Sequence, residues 1–400
     1  MQKFTQTLFA LSAQAKQCTI FALQRFQALA PKHKKIAIAT FAGSVMLTAI
    51  AISQSDSPAS SEPNTTITDT TPQYATELIN PKKLTVVSVA SPSIIFQSDE
   101  MTHGFAYDLT RLYAAKLKLD LDFQVVDSEQ TAQDWLKQGK ADVMVSQNKI
   151  AQQDENSSLR FISLACGEEY ALSKNGLNTH LNWVFHNKHQ QLTDTAETFV
   201  CKHKKYGTLY QLATFYNQKL WQPHDWKTVQ NNLQQRLPDY ESKFKTVAQQ
   251  YNLDWHLLAA IGYQESFLKP TSVSPTGVRG LMMLTSETAK EMGVNNRDDA
   301  MQSIEGGAKY FHQLMQRYQH IAEPDRTWFA LAAYNLGPAA VLQIQNRVKA
   351  QGQNPYQWVY IFDYLRRNQS KNAKYEQAIQ YVTRIRTFVE LLKKNEQAAI

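Results

Sequence analysis

Between Leu84 and Ser146 the chain alternates two apolar periods. Leu84–Ala90 is a short β-branched run, Gly104–Leu119 carries Phe105, Leu109, Leu112, Tyr113 and Leu117 at helical spacing, and Leu121–Val126 is again strand-like. Asp127 and Ser128 can cap a helix through Ala132, Trp135 and Leu136, and Ala141–Ser146 closes the pattern with a third strand. Strand, helix, strand, helix and strand joined by short connections leave a parallel α/β sheet as the expected architecture. From about residue 235 the pattern turns wholly helical, and 400 residues exceed what one core usually organises, so several domains are expected.

The segment before residue 80 sets topology. Ile36–Ser53 is an uncharged run of 18 residues, about the minimum for crossing a hydrocarbon core of roughly 30 Å. Lys32, Lys34 and Lys35 precede it and the first acid after it is Asp56, which places the N-terminus inside and the bulk of the chain outside. A membrane anchor and a signal segment cleaved near Ala49-Ile50-Ala51 both fit. The expected organisation is a basic cytoplasmic lead (1–35), an anchor or signal segment (36–53), a Ser/Thr/Pro-rich disordered linker (54–79), an α/β domain (80–225) and an all-α domain (235–395). The formal charge is +7, but residues 1–35 hold six bases and no acid, so the rest is nearly neutral. A nucleic-acid partner is therefore not expected. Outside the cytoplasm Cys166 and Cys201 share an oxidising compartment, where a disulfide and two buried thiols both remain open. His180, His186, His189 and His203, with Lys202, Lys204 and Lys205, read as solvated surface in preference to a metal site.

The α/β stretch resembles the first lobe of bacterial extracellular solute-binding proteins of the amino-acid-receptor type. The resemblance rests on the opening strand, GFAYDLTRLYAAKLKLDLDF (104–123), GKADVMVS (139–146) and a closing segment around Asn182–Phe185 and Gly207–Leu212. Only some 33 residues separate Gln147 from Leu181, where that family inserts its second lobe. The family's carboxylate-binding Arg has no counterpart in Asn148–Ala151. A one-lobed remnant is expected, with a structural or protein-contact role favoured over amino-acid binding.

In the helical stretch Phe244, Val247, Ala248 and Tyr251 mark one amphipathic helix, and Asp254 can cap the next. Leu257, Leu258, Ile261 and Glu265 then share one side. A carboxyl on an apolar face is harder to ionise, which suits a general acid. Gln264-Glu265-Ser266, Ser274–Met283 and Ala332–Gly337 together resemble the soluble lytic transglycosylase domain, a goose-lysozyme-like α-helical fold, and Asp254–Ala260, Gly306–Tyr310, Glu323–Leu331 and Met283 resemble the membrane-bound lytic murein transglycosylase F subfamily in particular. That resemblance implies Glu265 as catalytic acid/base, with Ser274, Gly280, Leu281, Met282, Met283, Tyr334, Asn335 and Tyr381 as substrate-binding residues. Core packing is the alternative for Met282 and Met283, and a core tyrosine for Tyr334. The resemblance implies cleavage of peptidoglycan glycan strands without water, with no metal and no cofactor. It also implies association with the outer membrane, whereas the N-terminal charge pattern points to anchorage in the inner one. A hydrolytic muramidase and a non-catalytic wall-binding or recruiting protein are the alternatives.

Overall fold

A computed structural model describes residues 77–98, 101–148, 158–219 and 223–399. The expected lead, membrane segment and nearly all of the linker lie outside the described residues, as do Lys149, Ile150 and Ala151. No helix among the described residues is long and apolar enough to cross a membrane.

The first part is a five-stranded sheet. In chain order it contains β1 (Lys83–Val89), the short pair β2 (Phe96–Gln97) and β3 (Thr102–His103), α1 (Phe105–Leu117), β4 (Asp120–Val126), α2 (Glu129–Lys137) and β5 (Val143–Ser146). Then follow β6 (Leu159–Ser163), α3 (Glu169–Lys174), β7 (Asn182–His186), α4 (Gln190–Lys205) and α5 (Thr208–Phe215). Strand order is β4-β1-β5-β7-β6, while β2 and β3 pair separately. The expected parallel set is present, since β1 pairs in parallel with both β4 and β5. Beyond β5 the sheet turns antiparallel, with Val143 opposite Phe185 and Ile162 opposite Trp183. The short return through β6, α3 and β7 occupies the stretch where a second lobe was expected to be missing.

Alternation along the strands builds two faces. Val87, Met144 and Val184 pack beneath α2 with Ala132 and Leu136. Val86, Val143, Val145, Trp183 and Phe185 face α1 and α4 on the other side. Ser128 caps α2 by accepting from the Thr131 amide. A Cys166–Cys201 disulfide, Cα–Cα 5.4 Å, ties the loop after β6 to α4 and resolves the alternative left open by spacing.

The second part is entirely helical: α6 (Pro223–Arg236), α7 (Glu241–Tyr251), α8 (Trp255–Ser266), α9 (Ser286–Met292), α10 (Ala300–Arg317), α11 (Asp325–Leu336), α12 (Pro338–Ala350), α13 (Trp358–Asn368) and α14 (Ala373–Ala399). The buried core runs without a break from the sheet into these helices. Phe215 of α5 lies edge-on to Trp328, Trp358 and Phe362.

Polar side chains lock the same seam. Arg111 of α1 donates to Asp325 of α11 at 2.7 Å and to Asp108 at 3.2 Å, while Tyr216 Oη donates to Asp108 at 2.7 Å. Asp325 also accepts from the Trp358 amide at 3.0 Å. On α14, Glu390 accepts from Ser93 at 3.2 Å, lies 3.0 Å from His103 Nε2, and pairs with Arg386. Such groups are tolerable in a core only because each finds a partner.

Candidate active site

Asp254 caps α8, its carboxylate accepting from the His256 amide at 2.9 Å. The helix buries Leu257, Leu258 and Ile261, and brings Glu265 to its last turn, half-buried at the rim of the apolar side. Phe267 and Leu268 then take left-handed backbone angles (φ 55° and 57°), which ends the helix immediately after the carboxyl.

The loop from Ser272 to Leu284 folds over that end. Ser266 Oγ donates within reach of both Gly262 O (3.1 Å) and Leu281 O (2.8 Å), so the residue beside Glu265 fastens the loop to the helix. Ser303 of α10 accepts from the Met282 amide at 3.1 Å, and Arg297 donates to Gly277 O and Leu284 O at 3.0 and 2.9 Å. Gly280 has φ +89°, and a Cβ there would stand 2.0 Å from Arg297 O, so a side chain is excluded. Gly307 of α10 admits Met282 in the same way, since a Cβ there would come within 2.7 Å of the Met282 side chain.

Opposite Glu265, α11 presents Tyr334. Its hydroxyl donates to Met282 O at 3.0 Å. Burial raises the phenol well above its ordinary pKa, and the charge of Glu265 and then Tyr310 push it further. Glu265 is thus an electrostatic neighbour of a phenol that stays protonated. Tyr310 lies 5.4 Å from the Tyr334 ring, and its own pKa is raised by burial and then by Glu291. Tyr381 of α14 stacks on Tyr334 at 6.4 Å with 12° between the planes. Glu287 and Glu291 stand exposed on the separate helix α9.

The structure therefore gathers Glu265, Met282, Tyr334 and Tyr381, with Met283 half-buried in the loop at φ 49°. Leu281 and Met282 are completely buried, backbone as well as side chain, so both belong to the core beneath the loop. Ser274 closes its own turn: Oγ accepts from the Val278 amide at 3.0 Å and meets the Thr276 hydroxyl at 3.0 Å. Asn335 is half-buried at the end of α11. Ser303 and Arg297 were not foreseen, while Ser266 and Tyr310 lay in family-like stretches of the sequence without being expected at the site.

The solvated reading of the histidines needs correcting. His189 is buried at the start of α4, where burial lowers its pKa, and His203 is half-buried with its ring 4.2 Å from that of Phe199.

Residues 84–219 match the family described as bacterial extracellular solute-binding proteins, family 3, and residues 242–357 match the transglycosylase SLT domain. A protein named membrane-bound lytic murein transglycosylase F from Marinobacter nauticus is 40% identical over 238 residues, 56% of this chain and 47% of that protein. One of the same name from Pseudomonas putida is 47% identical over 175 residues, 41% of this chain and 36% of that protein. The chain thus matches less than half the length of these curated relatives. A solved inactive mutant of lytic transglycosylase Slt from Pseudomonas aeruginosa aligns at 21% identity and a TM-score of 0.33, covering 50% of this chain and 31% of that one, too loose a likeness to argue from. The chain accordingly carries a family 3 solute-binding domain followed by a transglycosylase SLT domain, and over 41–56% of its length it is similar to proteins named membrane-bound lytic murein transglycosylase F.

Proposed function

We propose that this protein is a peptidoglycan lytic transglycosylase, with Glu265 as its single catalytic acid/base. The observation that carries the reading is the placement of Glu265 at a helix end against the buried, neutral Tyr334 phenol. In the first step the Glu265 carboxyl gives its proton to the oxygen joining N-acetylmuramic acid to N-acetylglucosamine, and that bond to C1 breaks. The muramyl acetamido group stabilises the positive charge growing at C1, which is why a second protein carboxylate is not required. The resulting carboxylate then takes the proton of the muramyl 6-hydroxyl as its oxygen bonds to C1. The product ends in a 1,6-anhydro ring, no water is consumed, and Glu265 regains its proton.

In this reading Tyr334 holds the loop carbonyl of Met282 and flanks the carboxyl. Tyr381 supports Tyr334 by stacking, and Asn335 and Met283 border the groove. Ser274 contributes through the turn that it closes, with its hydroxyl hydrogen free to choose between Thr276 and a substrate acetamido group. Residues 36–53 would hold the enzyme at the periplasmic face of the inner membrane. Cleavage of that segment as a signal, with outer-membrane association, is the alternative address.

Glu265→Gln is expected to lower release of 1,6-anhydromuropeptides from purified sacculi by at least about 100-fold, the usual weight of a general acid. Circular dichroism should remain that of the wild type. Release at the parent rate removes the assigned role. A hydrolytic muramidase is the second reading. Mass spectrometry separates the two, because hydrolysis leaves products heavier by one water.

A further inference from the structure

The loop over Glu265 is built as two turns in succession. In the first, the Ser274 amide donates to Val278 O and the Gly277 amide to Ser274 O, both at 2.9 Å. In the second, Arg279 and Leu284 exchange backbone bonds at 3.1 and 2.9 Å, with Met282 and Met283 between them. The second turn is anchored several times over. Leu281, Met282 and Leu284 are buried, and Ser266, Ser303 and Tyr334 bind its backbone. The first turn lacks that burial. Pro275, Thr276 and Gly277 are exposed, so apolar packing does not fix where the Ser274 hydroxyl stands relative to Glu265.

Arg297, in the connection between α9 and α10, spans the two turns. Its Nη1 donates to Gly277 O in the first at 3.0 Å and to Leu284 O at the end of the second at 2.9 Å. A terminal guanidinium nitrogen carries two hydrogens, one for each carbonyl. The root of the side chain is fixed as well, because the Arg297 carbonyl lies against Gly280, where a Cβ would stand 2.0 Å from it. The next residue, Asp298, accepts from Arg279 at 3.0 Å and so crosses the same gap. On its other side Arg297 lines a cavity of about 310 Å³ with Ser286, Lys290 and Asn295. None of the side chains gathered around Glu265 lines that cavity. Arg297 therefore meets the loop from outside the site.

On the reading that Glu265 is the acid/base and Ser274 meets the substrate acetamido group, we propose that Arg297 is a positioning residue that holds the Ser274 turn where it can grip that group. Glu265 and Tyr334 are held by α8, α11 and the second turn, so they keep their places when Arg297 is lost. A grip made equally in the ground state and the transition state is uniform binding, and its loss shows in KM.

The test is steady-state release of 1,6-anhydro products from soluble, uncrosslinked glycan strands by the full-length protein, with Glu265→Gln run in parallel. Arg297→Met removes every donor, and is expected to raise KM about tenfold while kcat stays within about twofold of the parent. Arg297→Lys returns three donors on a chain one bond shorter, and should recover most of the KM. A residue that served stability alone would lower the folded fraction, reducing apparent kcat and leaving KM at the parent value. Hydrogen-exchange mass spectrometry of Arg297→Met should show faster exchange over residues 274–279 and no change over 263–268. If Arg297→Met does not fold, Arg297→Gln, too short to span both carbonyls, takes its place with the same expectation. A parent KM in that variant, or a KM for Arg297→Lys no lower than for Arg297→Met, overturns the positioning role and leaves that of Glu265 standing. Parent-rate release by Glu265→Gln overturns the lytic reading and the positioning role with it.

Discussion

Breaking the Cys166–Cys201 bridge probes how the one-lobed sheet is held closed. The bridge spans 35 residues of sequence and encloses α3, β7 and most of α4. In the chain-entropy treatment, closing a loop of that size in the unfolded chain is worth about 4 kcal/mol. Cys201→Ser should remove that amount, since serine fits the half-buried position without steric conflict. With a urea m value of about 2–3 kcal/mol/M, the unfolding midpoint falls by roughly 1–2 M. Intrinsic fluorescence reports it well, because buried Trp183 lies 6.2 Å from Phe199, two residues before the bridge. The uninterrupted core predicts that loss of sacculus digestion follows the same transition. Dithiothreitol-treated wild type should reproduce the variant. A midpoint change under about 0.3 M, or a variant effect that reduction does not reproduce, refutes the reasoning.

Two other perturbations test the loop and the seam. Gly280→Ala forces a Cβ to within 2.0 Å of Arg297 O at φ +89°, and is expected to destabilise by at least about 3 kcal/mol in urea unfolding, with parallel loss of activity. Burial by itself would raise the Glu390 pKa, but Arg386 and then His103 outweigh it and hold the carboxyl at about 2, against an ordinary 4.5. A depressed folded-state pKa gives stability that is present above pH 4.5 and lost as pH falls toward 2. The loss amounts to about 3 kcal/mol, and Glu390→Gln should flatten that acid limb of the stability profile.

What was legible in sequence follows the range of the interactions involved. α1, the Asp254 cap and the apolar face leading to Glu265 are written in spacings of three to four residues, and they form as expected. Glu265 and Tyr334 are 69 positions apart, and it was the resemblance of whole motifs that brought them together. Features made by tertiary approach left little trace. Ser303 and Arg297 look like ordinary surface residues until the 272–284 loop lies across them. Arg111 and Asp325 are 214 residues apart, and nothing in their separate motifs pairs them. His189 looked solvated because a polar sequence surrounds it, yet it caps the start of α4 beside Leu192 and Thr193, both of which face the core. Met282 shows the opposite limit: its motif was visible, but only the packing against Gly307 and the Tyr334 hydroxyl on its carbonyl reveal that the whole residue lies in the core.

Helix α14 explains why a sheet without its second lobe remains bound to the helical part. Tyr381 stacks beneath Tyr334, and Arg386 and Glu390 follow five and nine residues later, about 8 and 14 Å along the same helix. Those two residues are completed by Ser93 and His103 from the sheet part, and Arg386 lies over the rings of Phe215 and Tyr216. Separating the parts would leave an arginine and a glutamate on one helix without their outer partners, and would expose Trp328, which packs against His103 and Phe215. Uncovering paired, buried charges together with large aromatic surface is far more destabilising than opening an ordinary domain contact. The sheet part thus supplies the outer partners of the charges on the helix that backs the tyrosine, and those contacts hold a sheet of one lobe to the helical part.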